Sequence, residues 1–133
     1  MGTEKTNAMR LLERGGAAYR VHTYGGGALS GTEVAAALGE EVSRVYKTLV
    51  TCAAPGRYYV FVIPAAEELD LKKAARAAGE KSVEMLPQRE LLPRTGYVHG
   101  GCSPIGMKKL FRTFIICSIL LLLIIVFIVI FRI

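Results

Sequence analysis

Apolar residues fall into short blocks along the chain. The blocks alternate between helical and strand-like periods, and each is closed by a residue that ends regular structure. Thr6 or Thr3 can cap a first helix carrying Met9, Leu11 and Leu12, and Gly15-Gly16 ends it. The alternation in AYRVHTY predicts a strand around Tyr19 to Tyr24, followed by a flexible loop at Gly25-Gly26-Gly27. Ser30 with Glu33 forms a capping box ahead of VAAALG, so a helix runs to about Leu38 and stops at Gly39. RVYKTLVTC is β-branched and aromatic, and YYVFVI follows the Pro55-Gly56 turn; together they predict a hairpin. Pro64 closes its second strand. Asp70 caps LKKAARAAG, a short helix with a basic face ending at Gly79. SVEML reads as extended, Pro87 leads into a brief helical turn, QRELL, and TGYVHGGCSPIG reads as a strand entering a Gly/Pro-rich loop.

Helices and strands are thus interspersed without a regular βαβ repeat, which predicts a mixed α/β fold with a partly antiparallel sheet. At 133 residues the chain fits one compact domain, and no internal repeat is present. The pattern breaks near Phe114: from there to Phe131 the sequence reads FIICSILLLLIIVFIVIF, without a charge. The expected organisation is therefore residues 1–113 as the folded domain and residues 114–133 as an apolar tail. As a helix the run would span on the order of 27 Å, the lower limit for crossing a bilayer. Lys108, Lys109 and Arg112 before it suit a cytoplasmic flank, and Arg132 can snorkel at the far end. Its Ile and Val content fits a strand equally, and an aberrant C-terminus is the third reading of so sharp a break.

Charge narrows the partner. Seventeen Lys+Arg against 11 Asp+Glu give a net +6, which suits an anionic partner, nucleic acid or a membrane surface, as well as plain solubility. Cys52, Cys102 and Cys117 are odd in number and far apart, which argues against a disulfide framework or a zinc site and suits the reducing cytosol. The polar start MGTEKTNAMR is not a secretory signal.

Candidate chemistry concentrates in the loop Gly100-Gly101-Cys102-Ser103-Pro104-Ile105-Gly106. Paired glycines let backbone amides approach a ligand, a phosphate or a developing oxyanion; the alternative is a plain turn. Lys47 lies mid-strand on the face opposite Tyr46 and Thr48, either as a solvated side chain or as a site cation. Lys72, Lys73, Arg76, Lys108 and Lys109 can meet RNA phosphates, and Tyr24 and Tyr97 are candidates to stack on unpaired bases. His22 and His99 lack carboxylate neighbours for a metal site or triad, and Cys102 as a nucleophile would need His99 as its base.

Taken together, KTNAMRLLE, VYKTLV, VFVIPAAEELDLKKAA, KSVEML, TGY and GGCSPIGMKK, in this order and spacing, resemble the YbaK/EbsC family of tRNA deacylases over roughly residues 5 to 115. That family is related to the editing domain inserted in bacterial prolyl-tRNA synthetases. The resemblance implies a mixed, partly barrel-like sheet flanked by helices, here incomplete at its C-terminal end. It implies an enzyme that clears cysteine from Cys-tRNA(Pro), with prolyl-tRNA synthetase as a further partner. It matches the family's strand lysine to Lys47 and the next residue to Thr48. The glycine loop matches Gly100, Gly101, Ser103 and Pro104, and a first-strand tyrosine matches Tyr24. Lys47 and Gly101 are then expected to carry catalysis, and Tyr24, Thr48, Gly100, Ser103 and Pro104 to bind substrate. The implied chemistry uses the substrate cysteine's own thiol against its ester carbonyl, with no cofactor or metal. After Thr113-Phe114-Ile115 the family's second glycine-rich motif does not follow. The competing expectations are therefore a catalytically impaired tRNA- or synthetase-binding remnant, and a cytosolic head tethered to a membrane through Phe114 to Phe131.

Overall fold

The computed structural model describes residues 4–25, 30–54, 56–98, 101–116 and 128–129. Three helices begin where a side chain takes up orphan backbone amides, as the sequence predicts. In α1 (Asn7–Arg14) the Thr6 hydroxyl accepts from the Met9 amide at 3.2 Å. In α2 (Gly31–Leu38) Ser30 Oγ accepts from the Glu33 amide while Glu33 accepts from the Ser30 amide at 3.0 Å. In α3 (Leu71–Ala78) Asp70 accepts from the Lys72 and Lys73 amides, both at 3.1 Å. Gly39 and Gly79 end α2 and α3 in the left-handed conformation, which glycine adopts without steric cost.

A short 3-10 turn, Val42–Arg44, feeds strand β1 (Val45–Cys52), which pairs antiparallel with β2 (Tyr58–Pro64). The register is unbroken, from Tyr46 opposite Pro64 to Cys52 opposite Tyr58. Strand β3 (Glu84–Met85) joins the far end of β1 antiparallel. On the other side of β2, β4 (Arg112–Ile115) runs parallel to it. Strand β5 (Ile128–Val129) lies parallel to β1 at Val45 and Tyr46. The order is β3-β1-β2-β4 with β5 beside β1, a mixed and partly antiparallel sheet.

The two faces of the sheet bury separate cores. Leu49, Tyr59, Phe61 and Ile63 pack with Ala74, Ala75 and Ala78 of α3 and with Val83. Val50 and Val60, pointing the other way, pack with Leu86, Leu91, Tyr97 and Cys102. Val45 meets Ala35 of α2 and Ala65. Each fully buried Val or Phe among these contributes roughly 1.5–3 kcal/mol. Contact at the α2 end is close: a Cβ added to Gly31 would lie 2.5 Å from that of Ala65.

Four expectations are corrected. Tyr19 to Tyr24 forms no strand; Val21 is 47% exposed, so the alternation buries no face. Tyr97 and Val98 are likewise outside any strand, because the Tyr97 amide turns back onto Thr95 Oγ1 at 3.1 Å. The brief turn after Pro87 is a full helix, α4 (Gln88–Thr95), despite Pro93. The Thr95 hydroxyl donates to the Leu91 carbonyl at 2.7 Å and secures the last turn there. Finally, the break at Phe114 falls within a strand. Phe114 stacks on Phe61 with ring centroids 5.2 Å apart and Ile115 pairs with Val62, so the first residues of the apolar run belong to the sheet. Ile128–Val129 is also strand, while residues 117–127 and 130–133 lie outside the described residues. Among the described residues no helix is long and apolar enough to cross a membrane.

Candidate active site

The glycine loop follows α4 and is fixed from several sides. Tyr97 donates its hydroxyl to the Ile105 carbonyl at 2.5 Å, and Asn7 of α1 donates to the Gly106 carbonyl at 2.6 Å. Ser103 is fully buried, and its Oγ accepts the Ile105 amide at 3.1 Å. The Lys108 amide returns to the Thr95 carbonyl at 3.0 Å. Gly106 has φ +79°, and a Cβ there would meet Tyr97 Oη, Asn7 Nδ2 and Leu11 Cδ1 at 3.0–3.2 Å. Glycine is required at this position on both backbone and steric grounds.

These contacts assign parts to the predicted loop residues. The Gly101 amide donates to the Val98 carbonyl at 3.0 Å, so it closes the loop's own turn. Gly101 and Cys102 are buried, Pro104 is half-buried, and Gly100 and His99 lie outside the described residues. Tyr97, expected as a stacking platform, is 9% exposed with its hydroxyl engaged in the loop, and is unavailable for that. Burial pushes its phenol above the ordinary value. Tyr24 is half-buried in the irregular segment after α1.

Lys47 and Thr48 divide between the two faces of β1. Lys47 stands opposite Ile63 and shares a face with Leu49, on the side covered by α3. Thr48 stands opposite Val62 and shares the face of Val50, the side where Cys102 and Tyr97 pack. The unbroken register therefore puts Thr48, and not Lys47, on the loop's side of the strand. Lys47 is half-buried.

Among the described residues, neither thiol is activated. Burial pushes Cys102 up to about 11, against a smaller opposing effect of its hydrogen bond with Thr95. Burial also raises Cys52, with Glu84 and Glu90 adding to it. A thiol that stays protonated near neutral pH is a poor nucleophile. Cys117 lies outside the described residues. At the hairpin, Glu80 accepts two bonds from Arg57, at 2.7 and 3.0 Å, and one from Tyr59 at 2.6 Å, tying the end of α3 to β2. Arg57 first and Tyr59 second hold the Glu80 carboxyl below its ordinary value.

Sequence reasoning missed the loop's supports. Asn7 and Thr95 carry no signal of their own, although both lie in stretches that match the family, and Gly106 is the loop's third glycine.

The comparisons with known proteins agree with this architecture. The family model for the aminoacyl-tRNA editing domain matches residues 27–116. An Enterococcus faecalis protein named "Putative Cys-tRNA(Pro)/Cys-tRNA(Cys) deacylase EbsC" is 48% identical over 114 residues, covering 84% of this chain and 70% of that protein. A solved structure described as "a putative trans-editing enzyme for prolyl tRNA synthetase" aligns with TM-score 0.72 at 26% identity, over 85% of this chain and 73% of the other. A hypothetical protein of known structure, 24% identical, aligns with TM-score 0.74 over 83% of this chain and 73% of its own, and shares the fold. By the match over residues 27–116 and the extent of that identity, the chain belongs to the aminoacyl-tRNA editing domain family.

Proposed function

We propose that this chain is an aminoacyl-tRNA deacylase that removes cysteine from mischarged Cys-tRNA(Pro) in the cytoplasm. The observation that carries the reading is the 48% identity to a relative whose name states that activity, over 84% of the chain. The pinned glycine loop supports it, because an editing enzyme that works by positioning needs a rigid cradle. The raised Cys102 thiol supports a mechanism in which the protein supplies no sulfur nucleophile.

In this mechanism the substrate cysteine's thiolate attacks its own ester carbonyl. A C–S bond forms, the C–O bond to the terminal ribose breaks, and the ribose oxygen takes a proton. The cyclic thiolactone released is then opened by water to free cysteine. Lys47, half-buried on the face of β1 away from the loop, is the cation proposed for the terminal ribose-phosphate region, and the loop's side of the strand is left to Thr48. Gly101, with Gly100, lets backbone come close to the ester; its own amide is already committed to Val98, so close approach rather than donation is its part. Ser103 and Pro104 shape the loop that bounds the substrate, and Tyr24 and Thr48 complete the pocket. Prolyl-tRNA synthetase, the source of the mischarged tRNA, is the proposed protein partner.

The test is release of cysteine from Cys-tRNA(Pro) by the full chain, followed as loss of the aminoacyl ester at neutral pH. Clearance above the spontaneous rate is expected. A rate equal to the no-enzyme control leaves a tRNA-binding protein and not a deacylase.

A further inference from the structure

Beyond the loop, the chain becomes one-sided in charge. No Asp or Glu follows Glu90, whereas Arg94, Lys108, Lys109 and Arg112 do. Lys108 and Lys109 are exposed, and among the described residues no ion pair reaches either. Arg112 lies over the Phe114 ring at 5.2 Å, and Leu110 stands between these cations fully exposed. The ridge is not a loose tail. Its backbone is held by the Asn7–Gly106, Tyr97–Ile105 and Lys108–Thr95 bonds. Beside it, between α1 and β4, is a cavity of about 170 Å³ lined by Leu11, Pro104, Met107, Lys109, Leu110 and Phe111. Tyr58 holds Phe111 edge-on at 5.8 Å.

We infer that this ridge and cavity dock the single-stranded 3′ end of tRNA, with backbone phosphates on Lys108, Lys109 and Arg112 and one unpaired base in the cavity. The inference rests on the deacylase reading, which supplies RNA as the substrate. Charge complementarity selects a polyanion, and cations bordering an apolar bed are the means by which single strands are held without sequence readout. The cavity is smaller than the roughly 300–1,000 Å³ of drug-sized sites and suits one planar ring. Because Lys108 is five residues beyond Ser103, the ridge begins within about 18 Å of that residue, a reach of a few nucleotides. A backbone already fixed by three partners loses little freedom when it binds.

The experiment titrates the full chain with two unacylated RNA hairpins, one ending in single-stranded CCA and one blunt, by fluorescence anisotropy over a range of KCl. The wild type is expected to prefer the CCA-ended hairpin. Lys108→Ala with Lys109→Ala should make the salt slope shallower by about 1.4–1.8, two phosphate contacts at roughly 0.7–0.9 each. Leu110→Gln removes no core contact, since Leu110 is fully exposed, and should erase the CCA preference while leaving the slope unchanged. Unchanged slopes and preference would overturn the inference. So would variants that lose affinity only for prolyl-tRNA synthetase, or only for anionic phosphatidylserine vesicles. Failure of the deacylase reading appears separately, as absent ester loss by the wild type, and leaves the binding result to decide the ridge.

Discussion

Gly106→Ala should loosen the loop that carries the candidate site, and the structure gives the size of the effect. At φ +79° a Cβ costs about 1–2 kcal/mol of backbone strain. The added carbon would also sit 3.0 Å from Tyr97 Oη, 3.1 Å from Asn7 Nδ2 and 3.2 Å from Leu11 Cδ1. Two of these atoms donate to the loop, at Ile105 and Gly106, so relief of the contact weakens hydrogen bonds worth about 1 kcal/mol each. The sum is about 2–4 kcal/mol. At a slope of roughly 2 kcal/mol/M, the urea midpoint falls by about 1–2 M. Gly16→Ala is the control: its φ is +71°, but nothing lies within 4 Å of the added Cβ, so it carries the backbone strain alone. Its cost should be about 1–2 kcal/mol with deacylation unaffected, whereas Gly106→Ala should also slow deacylation under conditions where it remains folded. Equal urea midpoints for the two variants, with both fully active, would refute the claim that Tyr97, Asn7 and α1 clamp the loop.

Other outcomes follow from the same contacts. Lys47→Ala should abolish deacylation while urea stability changes by less than about 1 kcal/mol, as for a strand residue that is not fully buried; normal turnover would remove Lys47 from the site. Gly31→Ala should destabilise by about 1–3 kcal/mol through the 2.5 Å approach to Ala65, and Ala65→Gly should restore part of the loss in the double variant. Glu80 is depressed in the folded chain by Arg57 and Tyr59, so its contribution is present above the ordinary carboxylate range and is lost as pH falls through its lower folded value. Glu80→Gln should accordingly flatten the acid side of the stability profile, and an identical profile would show that the hairpin tie is inert.

Much of the local structure could be read from single residues because their signals are local. Thr6, Ser30 with Glu33 and Asp70 each cap a helix within three residues of themselves, and Gly39 and Gly79 stop two of those helices by their own backbone freedom. The hairpin was legible for the same reason, since Pro55-Gly56 separates two β-branched runs. What failed depended on distant partners. Tyr19 to Tyr24 alternates like a strand but is in no strand ladder, and Tyr97 is drawn off by Thr95. Phe114 reads as the start of an apolar run, yet its place is set by Phe61, a residue more than fifty positions earlier. As candidates for the proposed site, Lys47 and Gly101 could be named by resemblance only, and Lys47's face by alternation. That the loop packs on the opposite face, with Thr48, depends on which way Cys102 and Tyr97 turn, which no spacing encodes.

The central claim is that the substrate's sulfur, and not the protein's, performs the cleavage, and one paired measurement tests it most directly. The same tRNA(Pro) is charged with cysteine or with 2-aminobutyrate, which is similar in size but lacks sulfur, and ester loss is followed with the wild type and with Cys102→Ala. The account predicts rapid clearance of the cysteinyl ester by both proteins and persistence of the aminobutyryl ester with both. Fast clearance of the aminobutyryl ester, or loss of cysteinyl clearance in Cys102→Ala while it remains folded, would contradict it.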